Sequence, residues 1–259
     1  MSAAIAGSLA LLARTRRPPV VLCYHGVGPT PADGDPHGLF VSESTFAGQL
    51  DVLLDRGYAL VTASELWAAV AERGPAGARG LAAVTLDDGL AASVATASRL
   101  LDERGGRGTA YLLPALLGGR HPDLPGHDLL DEGGVRALVA GPLEIGSHGL
   151  AHSDLRTLDA DAARHDLRES RRALEALSGR RVASLAYPFG RYTAETTRLA
   201  AEVGYDHACA CSGAGPWRRY EVPREAVFPT TTPARLRAKL LGLNGPLAGA
   251  AGAARRLRR

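Results

Sequence analysis

From Pro19 onward the apolar positions fall into two alternating patterns. Short continuous apolar runs are followed by longer stretches in which apolar residues recur every three or four positions. Runs of the first kind read as strands buried on both faces, and stretches of the second kind as amphipathic helices that cover them. Strands are expected at Val20–Tyr24, Tyr58–Val61, Leu81–Leu86, Thr109–Leu113, Leu143–Ile145, Val182–Tyr187 and Asp206–Cys211. Helices are expected near 44–56, 63–73, 90–104, 132–140, 159–178 and 193–203. End signals support the helices: Thr62-Ala-Ser-Glu65 reads as a capping box, and Gly57, Gly105, Gly179 and Gly204 stand where helices stop. Strict alternation of this kind implies a parallel sheet, either open and doubly wound or closed into a barrel. Periodicity alone does not choose between the two.

The 259 residues are 46% hydrophobic and 22% charged, which excludes a disordered chain and fits one large α/β domain. No run of about 18 apolar residues escapes a charge or a Gly, Pro or Ser break, so a membrane span is not expected. Thirty Lys and Arg against 27 Asp and Glu give a net charge of +3, unevenly spread. Three Arg lie in residues 1–17 and seven Lys or Arg in 234–259, with no acid in either end, so residues 18–233 hold 20 bases against 27 acids. An acidic body argues against a nucleic-acid partner. The basic ends are expected to be solvated tails, with peripheral contact to an anionic membrane as the alternative. The chain is accordingly divided into an N-terminal basic arm (1–18), a folded domain (19–232) and a basic C-terminal tail (233–259).

Three cysteines, Cys23, Cys209 and Cys211, make no even disulfide framework. The apolar run near the N-terminus carries its Arg after rather than before it, the reverse of a secretory signal, and a cytoplasmic location is expected. Oligomeric state is not legible.

The candidate chemistry clusters at strand ends. Tyr24-His25-Gly26 follows the first strand, Asp87-Asp88-Gly89 the third, Ser147-His148-Gly149-Leu150-Ala151-His152 the fifth, and Pro188-Phe189-Gly190 the sixth. In parallel α/β folds the C-terminal strand edge is where active sites assemble. Two adjacent carboxylates at one mouth are costly unless a cation separates their roles. Asp88, His148 and His152 supply two imidazoles and one carboxylate, a set that leaves a coordination position open as a catalytic zinc site requires. His121, His127 and His37 read as solvent-exposed loop residues, and Cys209 and Cys211 as small core residues on one strand face. Trp217 reads as rim packing. Residues 114–130, rich in Gly and Pro, form a long excursion of the sort that becomes a lid or stays disordered.

These motifs resemble those of the polysaccharide deacetylase family, the NodB-like group of carbohydrate esterase family four. Thr85-Leu86-Asp87-Asp88-Gly89 is similar to its T-F-D-D-G motif. Ser147-His148 through His152 is similar to its histidine motif, and Leu185-Ala186-Tyr187-Pro188-Phe189-Gly190 to its third motif, in a form like the bacterial F-A-Y-P-Y-G subgroup. Cys23-Tyr24-His25-Gly26 and Gly108-Thr-Ala-Tyr-Leu-Leu are also similar, so the likeness runs from about residue 19 to about 230. It implies an irregular (β/α) barrel of about seven parallel strands and a metal-dependent hydrolase that removes N-acetyl groups from amino sugars of a glycan or glycolipid. It further implies a divalent metal, commonly Zn2+, on Asp88, His148 and His152, with Asp87 as general base and the backbone N–H of Phe189 as an oxyanion donor. An O-acetyl esterase, another C–N hydrolase, or an inactive sugar-binding descendant are the alternatives. Ala186 replaces the family's usual arginine and Phe189 its usual tyrosine, and no histidine follows His207 to serve as the late general acid. His25 is the candidate for that acid, and Arg224 the candidate for orienting Asp87 and keeping its pKa low.

Overall fold

The computed structural model describes residues 17–29, 35–124, 126–211, 213 and 215–240. Most of the expected strands pair in parallel around one sheet: β1 (Val20–Tyr24), β5 (Leu81–Leu86), β6 (Gly108–Leu112), β7 (Leu143–Ser147), β8 (Ser184–Ala186) and β9 (His207–Ala210). β4 (Ala59–Val61) branches off, pairing only with β5. The expected helices form over Glu43–Asp55 (α1), Ala63–Gly77, Ala91–Asp102, Glu132–Leu138, Ala160–Ser178 and Ala194–Val203. The Thr62–Glu65 capping box closes both ways, and Gly179 and Gly204 end their helices in left-handed conformation.

The sheet turns into a nearly closed barrel through a strand that periodicity did not reveal. β10 (Val222–Pro223) pairs with β9, and β11 (Glu225–Ala226) pairs with β1, so five consecutive residues join the two edges. Arg224 stands at the centre of this seam, its N–H donating to the Ala210 carbonyl at 3.1 Å. A segment reading Val-Pro-Arg-Glu-Ala is too short and too charged to register as a strand, and Pro223 lacks a ladder donor. A second two-stranded sheet, β2 (Gly26–Val27) with β3 (Phe40–Val41), was also not anticipated.

The main core lies between sheet and helices, built on Leu22, Val84, Leu112, Leu167, Leu185 and their neighbours, all fully buried. The described residues of the long excursion, 114–124 and 126–130, fold back against Gly89 and Leu90 at the end of β5. Leu124 and Leu129 are buried there with Phe40 and Leu90, and the Gly118 N–H donates to the Leu130 carbonyl at 3.0 Å. At the far end of the chain, helix α7 (Pro233–Leu240) packs on α1 with Leu236 buried. Of the expected basic ends, residues 1–16 and 241–259 lie outside the described residues. Among the described residues no helix is long and apolar enough to cross a membrane.

Candidate active site

Four strand ends and the seam deliver their side chains to one place. His25 follows β1, Asp87 and Asp88 follow β5, His148 follows β7, and Phe189 follows β8. Backbone bonds between neighbouring strand ends hold these turns: Asp87 N–H donates to the Tyr24 carbonyl at 2.8 Å and His148 N–H to the Leu112 carbonyl at 2.9 Å. The loop after His148 is pinned from beneath, with the Leu150 N–H donating to Asp166 at 2.9 Å and the Ser170 hydroxyl donating to the Gly149 carbonyl at 2.9 Å. Among the described residues only three non-glycine residues have positive φ, namely Asp88 (73°), His152 (61°) and Phe189 (59°), and all three are in this site. Left-handed backbone costs on the order of 1 kcal/mol per non-glycine residue and persists where the surroundings over-determine it. Gly89 continues the turn at φ 74°, where a Cβ would also come within 2.9 Å of Leu112, so glycine is required.

Asp87 and Asp88 are both 3% exposed, yet their environments differ. Arg224, with no exposure at all, donates from Nη1 to Asp87 Oδ1 at 2.6 Å and from Nη2 to Oδ2 at 2.8 Å. Burial by itself would raise the Asp87 pKa. The Arg224 guanidinium outweighs it, aided by His148 and His25, and holds the carboxyl down at about 2. The Cys23 thiol adds a contact to Oδ2 at 3.4 Å. In Asp88 burial again pushes upward, and His121, His148 and His25 bring the pKa well below the usual carboxylate range.

Asp88 Oδ1 is the hub. His148 Nε2 stands 3.4 Å from it, His152 Nε2 3.5 Å and His121 Nε2 3.5 Å, distances too long for good hydrogen bonds. Buried and without a hydrogen-bond partner, Asp88 Oδ1 and His121 Nε2 are polar atoms awaiting one. Ligands held about 2.1 Å from a tetrahedral zinc stand roughly 3.4 Å apart, so each of these distances from Asp88 Oδ1 suits such an ion, and Asp88, His121 and His152 bring ligand atoms within 4.8 Å of one another. The ring tautomers fit as well. His148 Nδ1 lies 2.8 Å from the Ala186 carbonyl and His152 Nδ1 3.2 Å from an Asp123 carboxylate oxygen. Both acceptors demand an Nδ1–H, leaving the Nε2 lone pairs for a cation. Burial would lower the His148 pKa, but Asp87 and Asp88 raise it overall. Burial and the neighbouring His148 hold His152 down at about 4. One carboxylate and two imidazoles make a donor set suited to zinc or a similar divalent ion.

His25 places a ligand atom within 4.8 Å of Cys23 Sγ and an Asp87 oxygen, and its Nδ1 is buried without a hydrogen-bond partner. Phe189, 45% exposed, is the sole exposed large hydrophobic side chain among the described residues. Its ring covers His152 with centroids 4.4 Å apart, and the Arg191 guanidinium sits 5.4 Å from it on the outside.

His121 corrects a sequence expectation. Read as a solvent-exposed loop residue, it is 3% exposed and points into the site, carried there by the folded excursion. A lone histidine in a Gly/Pro-rich stretch has no periodicity to betray it; His37 is exposed as expected, and His127 is half-buried against Phe40 at 4.4 Å. Cys209 is fully buried, whereas Cys211, also expected in the core, is only half-buried at the end of β9. Trp217 is half-buried against the smaller core cluster around Val21 and Leu66.

A family model described as polysaccharide deacetylase matches residues 75–208, just over half of the chain and all of the motifs from Asp87 to Phe189. The chain belongs to the polysaccharide deacetylase family. Within that family it is 22% identical over 185 residues to the Bacillus subtilis protein YxkH, a match that covers 71% of this chain and 61% of YxkH. The chain thus spans about three fifths of that curated relative. Solved deacetylases share the barrel. The Streptococcus pyogenes deacetylase PplD, whose structure holds acetate, is 20% identical with a TM-score of 0.73, covering 85% of this chain and 96% of that one. A polysaccharide deacetylase from Bacillus cereus is 23% identical with a TM-score of 0.72, covering 86% and 69%. IcaB from Ammonifex degensii is 25% identical with a TM-score of 0.71, covering 87% and 97%. The fold of this deacetylase-family chain is therefore the NodB-like (β/α) barrel.

Proposed function

We propose that the protein is a metal-dependent deacetylase acting on N-acetylated amino sugars of a glycan or glycolipid. The observation that carries this reading is the pairing of two buried carboxylates with opposite partners. Asp87 is engaged by Arg224 and Asp88 is ringed by imidazole nitrogens. Both carboxylates are held ionised, and their different partners, a guanidinium for Asp87 and imidazoles for Asp88, suit the first to a base and the second to a cation ligand.

Asp88, His148 and His152 would hold the divalent ion, with Zn2+ the best match to the donors. When bound, the ion supplies a water acidic enough to attack at neutral pH and polarises the acetyl carbonyl. Asp87 accepts the proton of the attacking water on Oδ2, the oxygen that lies 3.9 Å from His148 Nε2. Arg224 keeps that carboxylate ionised and fixes its plane. His25 delivers a proton to the departing nitrogen, so that one amide and one water become an amine and acetate. The backbone N–H at Phe189 donates to the oxyanion, and the exposed Phe189 ring offers an apolar platform to a sugar face.

Acetate release from N-acetylated glucosamine oligomers by zinc-loaded protein tests this reading. Turnover should appear with stoichiometric metal and vanish in Asp87→Asn. Turnover confined to O-acetylated glycans would identify an esterase, and glycan binding without metal or turnover an inactive descendant.

A further inference from the structure

Three histidines face Asp88 Oδ1 at nearly the same distance, but one of them has the opposite tautomer. The backbone N–H of Asp123 donates to His121 Nδ1 at 3.1 Å. An amide can only donate, so Nδ1 must carry a lone pair, and the proton of the neutral ring sits on Nε2. That nitrogen is the one pointing at the hub, buried and without a hydrogen-bond partner. Asp88, His121 and His152 offer ligand atoms within 4.8 Å of one another, but a metal ion on His121 Nε2 would drive the ring proton onto Nδ1 against the Asp123 N–H, breaking that hydrogen bond. His148 and His152, whose Nδ1 atoms face a carbonyl and a carboxylate, have no such obstacle. Asp123 sets two of the three rings at once: its carboxylate orients His152 as a ligand while its amide orients His121 as a donor.

We propose that His121 is a catalytic residue, a side-chain arm of the oxyanion site that donates its Nε2–H to the acetyl oxygen of the substrate. This rests on the deacetylase reading above. A carbonyl oxygen polarised beside Asp88, His148 and His152 arrives where a buried N–H has no acceptor of its own. Donation strengthens as that oxygen gains charge, and no bond to His121 is made or broken. The excursion thereby contributes chemistry as well as cover, because it is the segment that carries His121 beside Asp88 and His152.

The test compares zinc-loaded wild type with His121→Ala and His121→Gln, the latter restoring an N–H on a side chain of similar reach. Zinc affinity is read by competition with a chromophoric chelator, acetate affinity by calorimetric titration, and kcat and KM on N-acetylated glucosamine oligomers. The alanine variant should keep zinc affinity within about threefold, bind acetate about tenfold more weakly, and lose roughly 10²-fold in kcat with little change in KM. Glutamine should recover part of both losses, which a merely structural role would not allow. A fall of tenfold or more in zinc affinity would make His121 a ligand and overturn the proposal. Unchanged acetate affinity and kcat would also overturn it. Should the wild type bind zinc and acetate yet release no acetate from sugars, the substrate reading fails, and the acetate titration alone decides the role of His121.

Discussion

Arg224 grips Asp87 through two parallel hydrogen bonds of 2.6 and 2.8 Å, with both side chains out of contact with solvent. Bidentate pairing fixes direction as well as charge. The carboxylate is therefore held in its ionised form, with Oδ2 3.9 Å from His148 Nε2. Replacing Arg224 by Lys keeps a charge but loses the fork. It should lower kcat by roughly 10²-fold, as misplacement of a catalytic group does, and move the acid limb of the pH–rate profile upward as the Asp87 pKa rises. A steady-state pH profile checks both; an unmoved acid limb would show that Arg224 does not set that pKa.

The two carboxylates should fail differently. In Asp88→Asn the hub loses its charge, and zinc affinity should fall by 10-fold to 100-fold or more together with activity. In Asp87→Asn the ligands remain, so zinc should still bind at one equivalent while kcat drops by at least roughly 10³-fold. Metal analysis after dialysis, paired with acetate release, separates the two. Chelation of the wild type should reproduce the Asp88→Asn phenotype and be reversed by adding zinc.

His25→Ala should reduce turnover by about 10²-fold with metal content unchanged, because His25 groups with Cys23 and Asp87 and is not among the proposed ligands. Substrates with a better leaving group, such as an N-acetylated nitroaniline, need less help from an acid and should suffer less. Equal losses on both substrates would remove His25 from the protonation step.

At the start of β9, away from the site, His207 is fully buried with no hydrogen-bond partner on either ring nitrogen, and burial holds its pKa down at about 4 against an ordinary 6.5. The unfolded chain therefore takes up a proton there before the folded protein does. Its neutral form contributes stability that is fully present above pH 6.5 and is lost as the pH falls toward 4, by about 3 kcal/mol in total. Denaturant titrations at pH 7.5 and pH 4.5 should show this loss, and His207→Phe should flatten it.

Much of the site was legible because its residues follow strands, and strands are the most visible elements of this sequence. The run Leu81–Leu86 announces itself by hydrophobicity and Asp87 and Asp88 come directly after it, while the strand expected at Leu143–Ile145 extends to Ser147, placing His148 next. What stayed hidden has no such carrier. The closing strand is two residues on either side of an arginine; one half pairs with β9 close by in the chain, but closure depends on contacts with Thr85 and with Leu22 and Cys23, some 140 to 200 positions away. His121 reaches the site through a loop whose path is set by the packing of Leu124 and Leu129 under Phe40, a tertiary event with no local signature. Tautomers, likewise, are decided by which atom each ring meets: a backbone carbonyl for His148, a carboxylate for His152 and a backbone N–H for His121.

The seam at Arg224 ties architecture to reactivity in a single residue. Its amide stitches one rim strand while its guanidinium crosses the barrel interior to the base. Opening of Val222–Ala226 would withdraw the counter-charge from Asp87 in the same stroke, so a loosened barrel would fall silent before it unfolds. On the proposed mechanism, turnover would be a direct gauge of whether its hoop is fastened.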